Sequence, residues 1–154
     1  MSNEIEAVRA KFIEYSEVFN KLDPKLILPF FAVGSILVTT GVVATMTTEQ
    51  EVEGVFTQFM GLLKKQNFTH SELNKNNLSA KMLSDNVAII SGSAIHYKKD
   101  PGTDTKEVEL ERIGVTYTFR KDPPAPTAKA TEPTDGVWKI VSGIIHKPEN
   151  VIAL

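Results

Sequence analysis

The chain is predicted to be one α+β domain, with helices first and a long antiparallel sheet after them, and three observations carry that prediction. Two segments in the first half space their apolar residues at steps of three and four, the period of a helix with one buried face. Two later stretches, Leu110 to Lys121 (LERIGVTYTFRK) and Val137 to Lys147 (VWKIVSGIIHK), are dense in β-branched and aromatic residues and long enough to cross a sheet. Between them lies DPPAPTAKATEPTDG, with four prolines and no large apolar residue, which must leave the sheet. Residues 122–135 are therefore expected to form a mobile Pro-rich loop. The 154 residues are 42% hydrophobic, enough for the core of a single domain spanning 1–154 and with no room for a second.

Taken in order, residues 4 to 22 carry Ile5, Val8, Phe12, Tyr15, Phe19 and Leu22, with Glu6, Arg9, Lys11, Glu14 and Glu17 between them, which predicts an amphipathic helix. Asp23-Pro24 should stop it and open a short second helix, Lys25 to Phe31. From Leu26 to Thr48 no residue is formally charged, long enough for a membrane span. Pro29, Gly34, Gly41, many Ser and Thr and two β-branched runs argue instead for two short buried strands joined near Gly41. Thr48-Glu49-Gln50-Glu51 has capping-box spacing and opens a helix with the stripe Val52, Val55, Phe56, Phe59, Leu62 and Leu63. Lys64 and Lys65 suit its C-terminal end. Phe68 to Leu83 reads as an imperfect strand region, Ser84-Asp85-Asn86 as a turn, Val87 to Lys98 as a strand and Asp100-Pro101-Gly102 as a turn.

Composition excludes several classes of function. The net charge of -2 comes from 17 basic and 19 acidic residues that are interspersed, so no basic face exists to neutralise phosphates and nucleic acid is not an expected partner. Without cysteine there is neither a disulfide framework nor a thiolate metal site, and three histidines without close His, Asp or Glu spacing do not make a metal site. No cofactor is expected. Met1 to Asn20 lacks a signal-peptide pattern, so a cytoplasmic protein that does not enter membranes is expected.

The order of elements, with Phe12-x-x-Tyr15-x-x-x-Phe19-Asn20-x-x-Asp23 through Phe30-Phe31 at the front and Gly114-x-x-Tyr117-x-Phe119-Arg120-Lys121 and Asp135-Gly136-x-Trp138-Lys139-Ile140-Val141 at the back, resembles the nuclear transport factor 2-like superfamily, with its SnoaL-like and ketosteroid isomerase-like members. The resemblance implies a cone, a cystatin-like α+β roll: a curved antiparallel sheet with about three N-terminal helices in its concavity and a pocket at the open end. It covers Ile5 to His146, but its motifs mark fold and carry no activity. Isomerase-like members are similar in using a tyrosine on the first helix, an aspartate base on the first hairpin and a protonated acid on a late strand. Tyr15 matches the tyrosine. The segment Ile36 to Thr45 has no carboxylate, and the expected inward positions of the late strand, Ile113, Val115 and Tyr117, or Arg112 and Thr116 if a bulge shifts the face, bring none, which removes that chemistry and the paired aspartates of the epoxide hydrolases.

Dehydratase-like members resemble another solution, histidines and tyrosines around an apolar cavity. By that likeness Tyr15, His96 and His146 are the candidate acid–base residues, with Tyr97 and Tyr117 also available and His70 weaker. A histidine near a strand end is more often a surface or capping residue than a catalyst. The expected ligand-binding set is Tyr15, Phe19, Phe31, Phe56, Phe59, Arg112, Tyr117 and Trp138. Trp138 also fits core packing at the base of the cone, and Arg112, which follows Glu109 and Glu111, a cross-strand or solvent ion pair. The leading expectation is a pocket-bearing scaffold for a small, largely apolar molecule, followed by a dehydratase, cyclase or isomerase using Tyr and His, then a docking or dimerisation module. Val137, Val141 and Ile145 beside Trp138, Ile140 and Ile144 make the last strand apolar on both faces, which predicts a homodimer through the outer face of the sheet.

Overall fold

A computed structural model describes residues 2–103, 105–122 and 136–154. Helix α1, Ser2–Phe19, is followed by a 3₁₀ helix, Pro24–Phe30, whose N-cap Asp23 accepts from the Lys25 N–H at 3.1 Å. Pro29 lies inside that second helix and brings no N–H, which suits a short tight coil better than a continuing α-helix. Strands β1, Phe31–Val38, and β2, Val43–Met46, lead to α2, Glu49–Lys65. At the start of α2 the Thr48 hydroxyl accepts from Glu51 N–H at 3.1 Å, while the Glu51 carboxylate reaches back one residue further than usual, to the Thr47 hydroxyl at 2.7 Å. Strands β3, Phe68–Leu73, β4, Ser79–Ser84, β5, Val87–Lys99, β6, Glu107–Asp122, and β7, Val137–His146, complete the sheet, and a 3₁₀ turn, Pro148–Asn150, leads into the C-terminal tail.

The seven strands form one open, curved sheet in the order β2-β1-β7-β6-β5-β3, with β4 also paired to β5. The sheet is mixed: β1 runs parallel to β7, and the other pairings are antiparallel. This corrects the expectation of an all-antiparallel sheet. A turn between neighbouring strands fixes their relative direction, but β1 and β7 are joined through the whole domain, so no local pattern records theirs. The expected pair of buried strands is corrected too, because β2 lies at the sheet edge with Val43 67% exposed.

Register shifts set the faces. In β7, Phe119 pairs with Ile140 but Thr118 pairs with Ser142, so Val141 is an extra, bulged residue. Trp138 and Ile140 face inward before it, whereas Gly143 and Ile145 do so after it. Apolar residues at both parities in this strand therefore partly serve one face, which weakens the sequence argument for a covered outer face. The core joins the α1 stripe Val8, Phe12 and Tyr15 to Ile90, Phe119, Ile140 and Trp138 of the sheet and Phe56 and Met60 of α2. Among the described residues no helix is long and apolar enough to cross a membrane. The loop expected over residues 122–135 lies outside the described residues, apart from the backbone of Asp122 at the end of β6.

Candidate functional site

Helices and sheet enclose a cavity of about 480 Å³, within the range of small-molecule sites. Tyr15 enters it from α1 and Tyr117 from the inward row of β6, and their hydroxyls stand 3.3 Å apart with both rings buried. Tyr117 lies against β7 because position 143 is glycine: a Cβ there would sit 3.0 Å from the Tyr117 ring and from Leu37. The end of α1 is tied to β3 by Asn20, whose amide accepts from Ser71 N–H at 2.7 Å and donates to Ser71 C=O at 3.0 Å.

The two hydroxyls carry one proton each, and their mutual bond uses only one of them. The other has no partner among the described residues, so the pair presents one O–H donor to the cavity. Burial pushes the Tyr117 hydroxyl up to about 12 and holds Tyr15 well above its ordinary value, the neighbouring Tyr117 adding to the effect. Both are neutral donors at physiological pH.

Further along the same inward face, β5 and β6 place His96 directly opposite Glu111. The imidazole is edge-on to Phe68 with ring centres 5.3 Å apart, and its Nδ1 stands 3.5 Å from Glu111 Oε1. That separation is a long electrostatic contact and too stretched to count as a full hydrogen bond. Burial lowers the pKa of His96, and Glu111 opposes the shift without reversing it. His96 is thus neutral near neutral pH. Its Nδ1 is buried without a full hydrogen bond, and Nε2 takes part in none of the hydrogen bonds found among the described residues.

A family model for NTF2-like proteins (DUF6841) matches residues 3–125. The chain belongs to this NTF2-like, or nuclear transport factor 2-like, family. No curated protein matches it by sequence. Among solved structures, an NTF2-like protein with a cystatin-like fold from Novosphingobium aromaticivorans superposes with a TM-score of 0.69 at 14% identity, over 94% of this chain and 82% of that one. A ketosteroid isomerase-like protein from Erwinia carotovora atroseptica gives 0.63 at 15% identity over 100% of both chains. A nuclear transport factor 2 superfamily protein from Salmonella enterica gives 0.65 at 14% identity, over 93% of this chain and 89% of that one. At such identities the likeness is one of fold.

Within this NTF2-like domain the expected site residues divide. Tyr15, Phe19, Phe56, Phe59, Tyr117 and His96 all line the cavity. Arg112 and His146 reach it only at the rim. Arg112 is half-exposed and holds the Glu109 carboxylate through two bonds of 2.9 and 2.8 Å, so its charge is already matched. His146 is occupied on both nitrogens, with Nδ1 2.8 Å from the Lys147 carbonyl and Nε2 2.8 Å from Thr116 Oγ1. A carbonyl only accepts, so Nδ1 donates and Nε2 accepts from Thr116, which leaves this ring no free position for proton transfer.

The structure places two of the expected ligand contacts, Phe31 and Trp138, away from the cavity lining. Phe31 is buried behind the cavity wall, packed on the rings of Tyr15 at 5.7 Å and Phe56 at 5.0 Å. Trp138 lies at the opposite end of β7 from His146, its ring in the core and its Nε1 donating to the partly exposed Glu4 carboxylate at 3.1 Å. Tyr97 pairs outside the cavity lining, stacked on His70 with ring centres 5.0 Å apart. The expectation of a wall without carboxylates is overturned by Glu111, which lines the cavity with a half-exposed side chain. Its signal was present in the sequence: Glu111, Ile113, Val115, Tyr117 and Phe119 form one alternating row, and the acid continues the row by one step. Among the described residues no group of three His, Asp or Glu side chains could hold a metal ion.

Proposed function

We propose that this NTF2-like protein binds a small, largely apolar molecule in the cavity between helices and sheet and seats an accepting oxygen of that molecule on the Tyr15–Tyr117 pair. The observation that supports this best is the unused hydroxyl proton of a neutral, buried pair in a cavity whose wall is largely apolar, with Phe19, Phe56, Leu37, Ile113 and Ile145. A buried donor without a partner is costly, and a ligand oxygen removes that cost. The test uses N-phenyl-1-naphthylamine, a neutral apolar fluorophore. Saturable enhancement at one probe per chain is expected, lost in Ala94→Phe, which fills the cavity from its wall. Absence of saturation, or equal binding by the filled variant, counts against the proposal. Tyr117→Phe should leave the probe bound but weaken a competing aryl ketone by about 3- to 10-fold, the worth of one neutral hydrogen bond.

Acid–base catalysis of the dehydratase, cyclase or isomerase kind is the second reading. What favours it is that His96 and the tyrosine pair line the same cavity.

The proposal extends to a homodimer through the outer face of the sheet. Val43, Val38, Ile144, Thr116, Ser91 and Ser79 stand in one lateral row across five neighbouring pairings. Its polar half is already occupied by the chain's own tail: Ile152 N–H donates to Ser91 Oγ at 2.9 Å, and Ser79 Oγ donates to Ile152 C=O at 2.9 Å. The apolar half is open, with Val43 67% and Ile144 43% exposed, and it supplies the surface a second copy would cover.

A further inference from the structure

The inward face of β5 and β6, further along the same rows as Tyr117, carries a second recognition element. We propose that His96, oriented by Glu111, is the acceptor for a hydroxyl of the bound molecule, which places the ligand among small apolar alcohols and phenols. This rests on the reading of the cavity as a ligand site and adds to it the group that the ligand must carry.

A neutral imidazole has one N–H and one lone pair. Glu111, a carboxylate, can only accept, and the β5–β6 register sets it across from His96 with Oε1 3.5 Å from Nδ1. A lone pair on Nδ1 would face the negative oxygen, so the proton resides on Nδ1. The lone pair then falls on Nε2. Packing of Phe68 edge-on against the ring holds that orientation. Among the described residues Nε2 meets no donor: Arg112 is engaged by Glu109, and the hydroxyl pair of Tyr15 and Tyr117 forms no bond to it. An acceptor in an apolar wall is matched by a ligand O–H, whereas a ketone or an ether leaves it unsatisfied. Should the ligand hydroxyl ionise, its proton passes to Nε2 and the imidazolium Nδ1–H strengthens its contact with Glu111, whose half-exposed carboxylate reaches water.

The test is displacement of N-phenyl-1-naphthylamine from the full chain by 2-naphthol, 2-methoxynaphthalene and naphthalene, three molecules of one ring system that differ in the donor. The naphthol should displace the probe at about 10-fold lower concentration than either of the others. Glu111→Gln, a change at the half-exposed rim, should abolish most of that preference, because an amide can donate to Nδ1 and move the imidazole proton to Nε2. Nitrogen-15 NMR of the His96 ring reads the tautomer directly: Nδ1–H in the natural protein and a population shift to Nε2–H in Glu111→Gln. His96→Phe should lose the preference of naphthol over naphthalene. Equal displacement by all three molecules with the probe bound overturns the hydroxyl assignment while the cavity reading stands. A preference and tautomer unchanged in Glu111→Gln overturn the role of Glu111. If the probe never binds, both readings fail together.

Discussion

Burial keeps the His96 imidazole neutral in the folded chain, and this ties a cavity residue to global stability. Its folded pKa lies below the ordinary 6.5 because desolvation outweighs the attraction of Glu111. As pH falls past 6.5 the unfolded chain takes up a proton that the folded chain refuses. Stability is therefore expected to decline from about pH 6.5 down to the folded pKa and then level off with respect to this group. Each unit of depression corresponds to about 1.4 kcal/mol. Urea unfolding across this range should show a steeper loss for the natural protein than for His96→Gln; parallel curves would contradict the assignment. At this scale, Tyr15 and Tyr117 were legible because each sits on a clean period, 3.6 on α1 and 2 on β6. The partnership of His96 with Glu111 was not, because it depends on a cross-strand register between distant segments. Arg112 was legible as an ion pair, since Glu109 lies only three residues away.

The turn from β7 into the C-terminal tail is the element whose geometry is most constrained. A Cβ on Gly114 would lie 2.5 Å from the His146 ring and 2.6 Å from the Lys147 carbonyl, and a backbone carbonyl cannot step aside as a flexible side chain can. The ring closes a directed chain in which Ser91 Oγ, 2.9 Å from Thr116 Oγ1, donates to it and Thr116 donates in turn to His146. Gly114→Ala is expected to destabilise the domain by about 2 to 3 kcal/mol through this overpacking, measured as a lower urea midpoint. Ser91→Ala should cost about 1 kcal/mol, since it removes an acceptor for the Ile152 N–H. An unchanged midpoint for Gly114→Ala would mean that the turn is free to move. The helices and the long strands were legible from periodicity and caps, Thr48 above all. The bulge at Val141 was not, because nothing in VWKIVSGIIHK distinguishes a strand with two apolar faces from one that changes face midway.

The whole molecule combines an inward face that builds a cavity with an outward face divided between the chain's own tail and an apolar strip. If that strip meets a second copy, light scattering at micromolar concentration should give a dimer, and Ile144→Glu should give a folded monomer, since it sets a charge in the exposed half of the row. A monomer for the natural protein would end this part of the proposal. Fold class and family were legible because two helices, a short strand pair and a third helix precede the long strands, an order that resembles an NTF2-like domain. The parallel pairing of β1 with β7 was not, because only three-dimensional closure brings the two together. The most direct test of the central claim is an isotope-filtered NOE experiment on the labelled protein with bound N-phenyl-1-naphthylamine. Contacts from the probe to Phe19, Phe56, Ile113 and Tyr117 are expected, whereas contacts confined to Val43 and Ile144 on the outer face would contradict it.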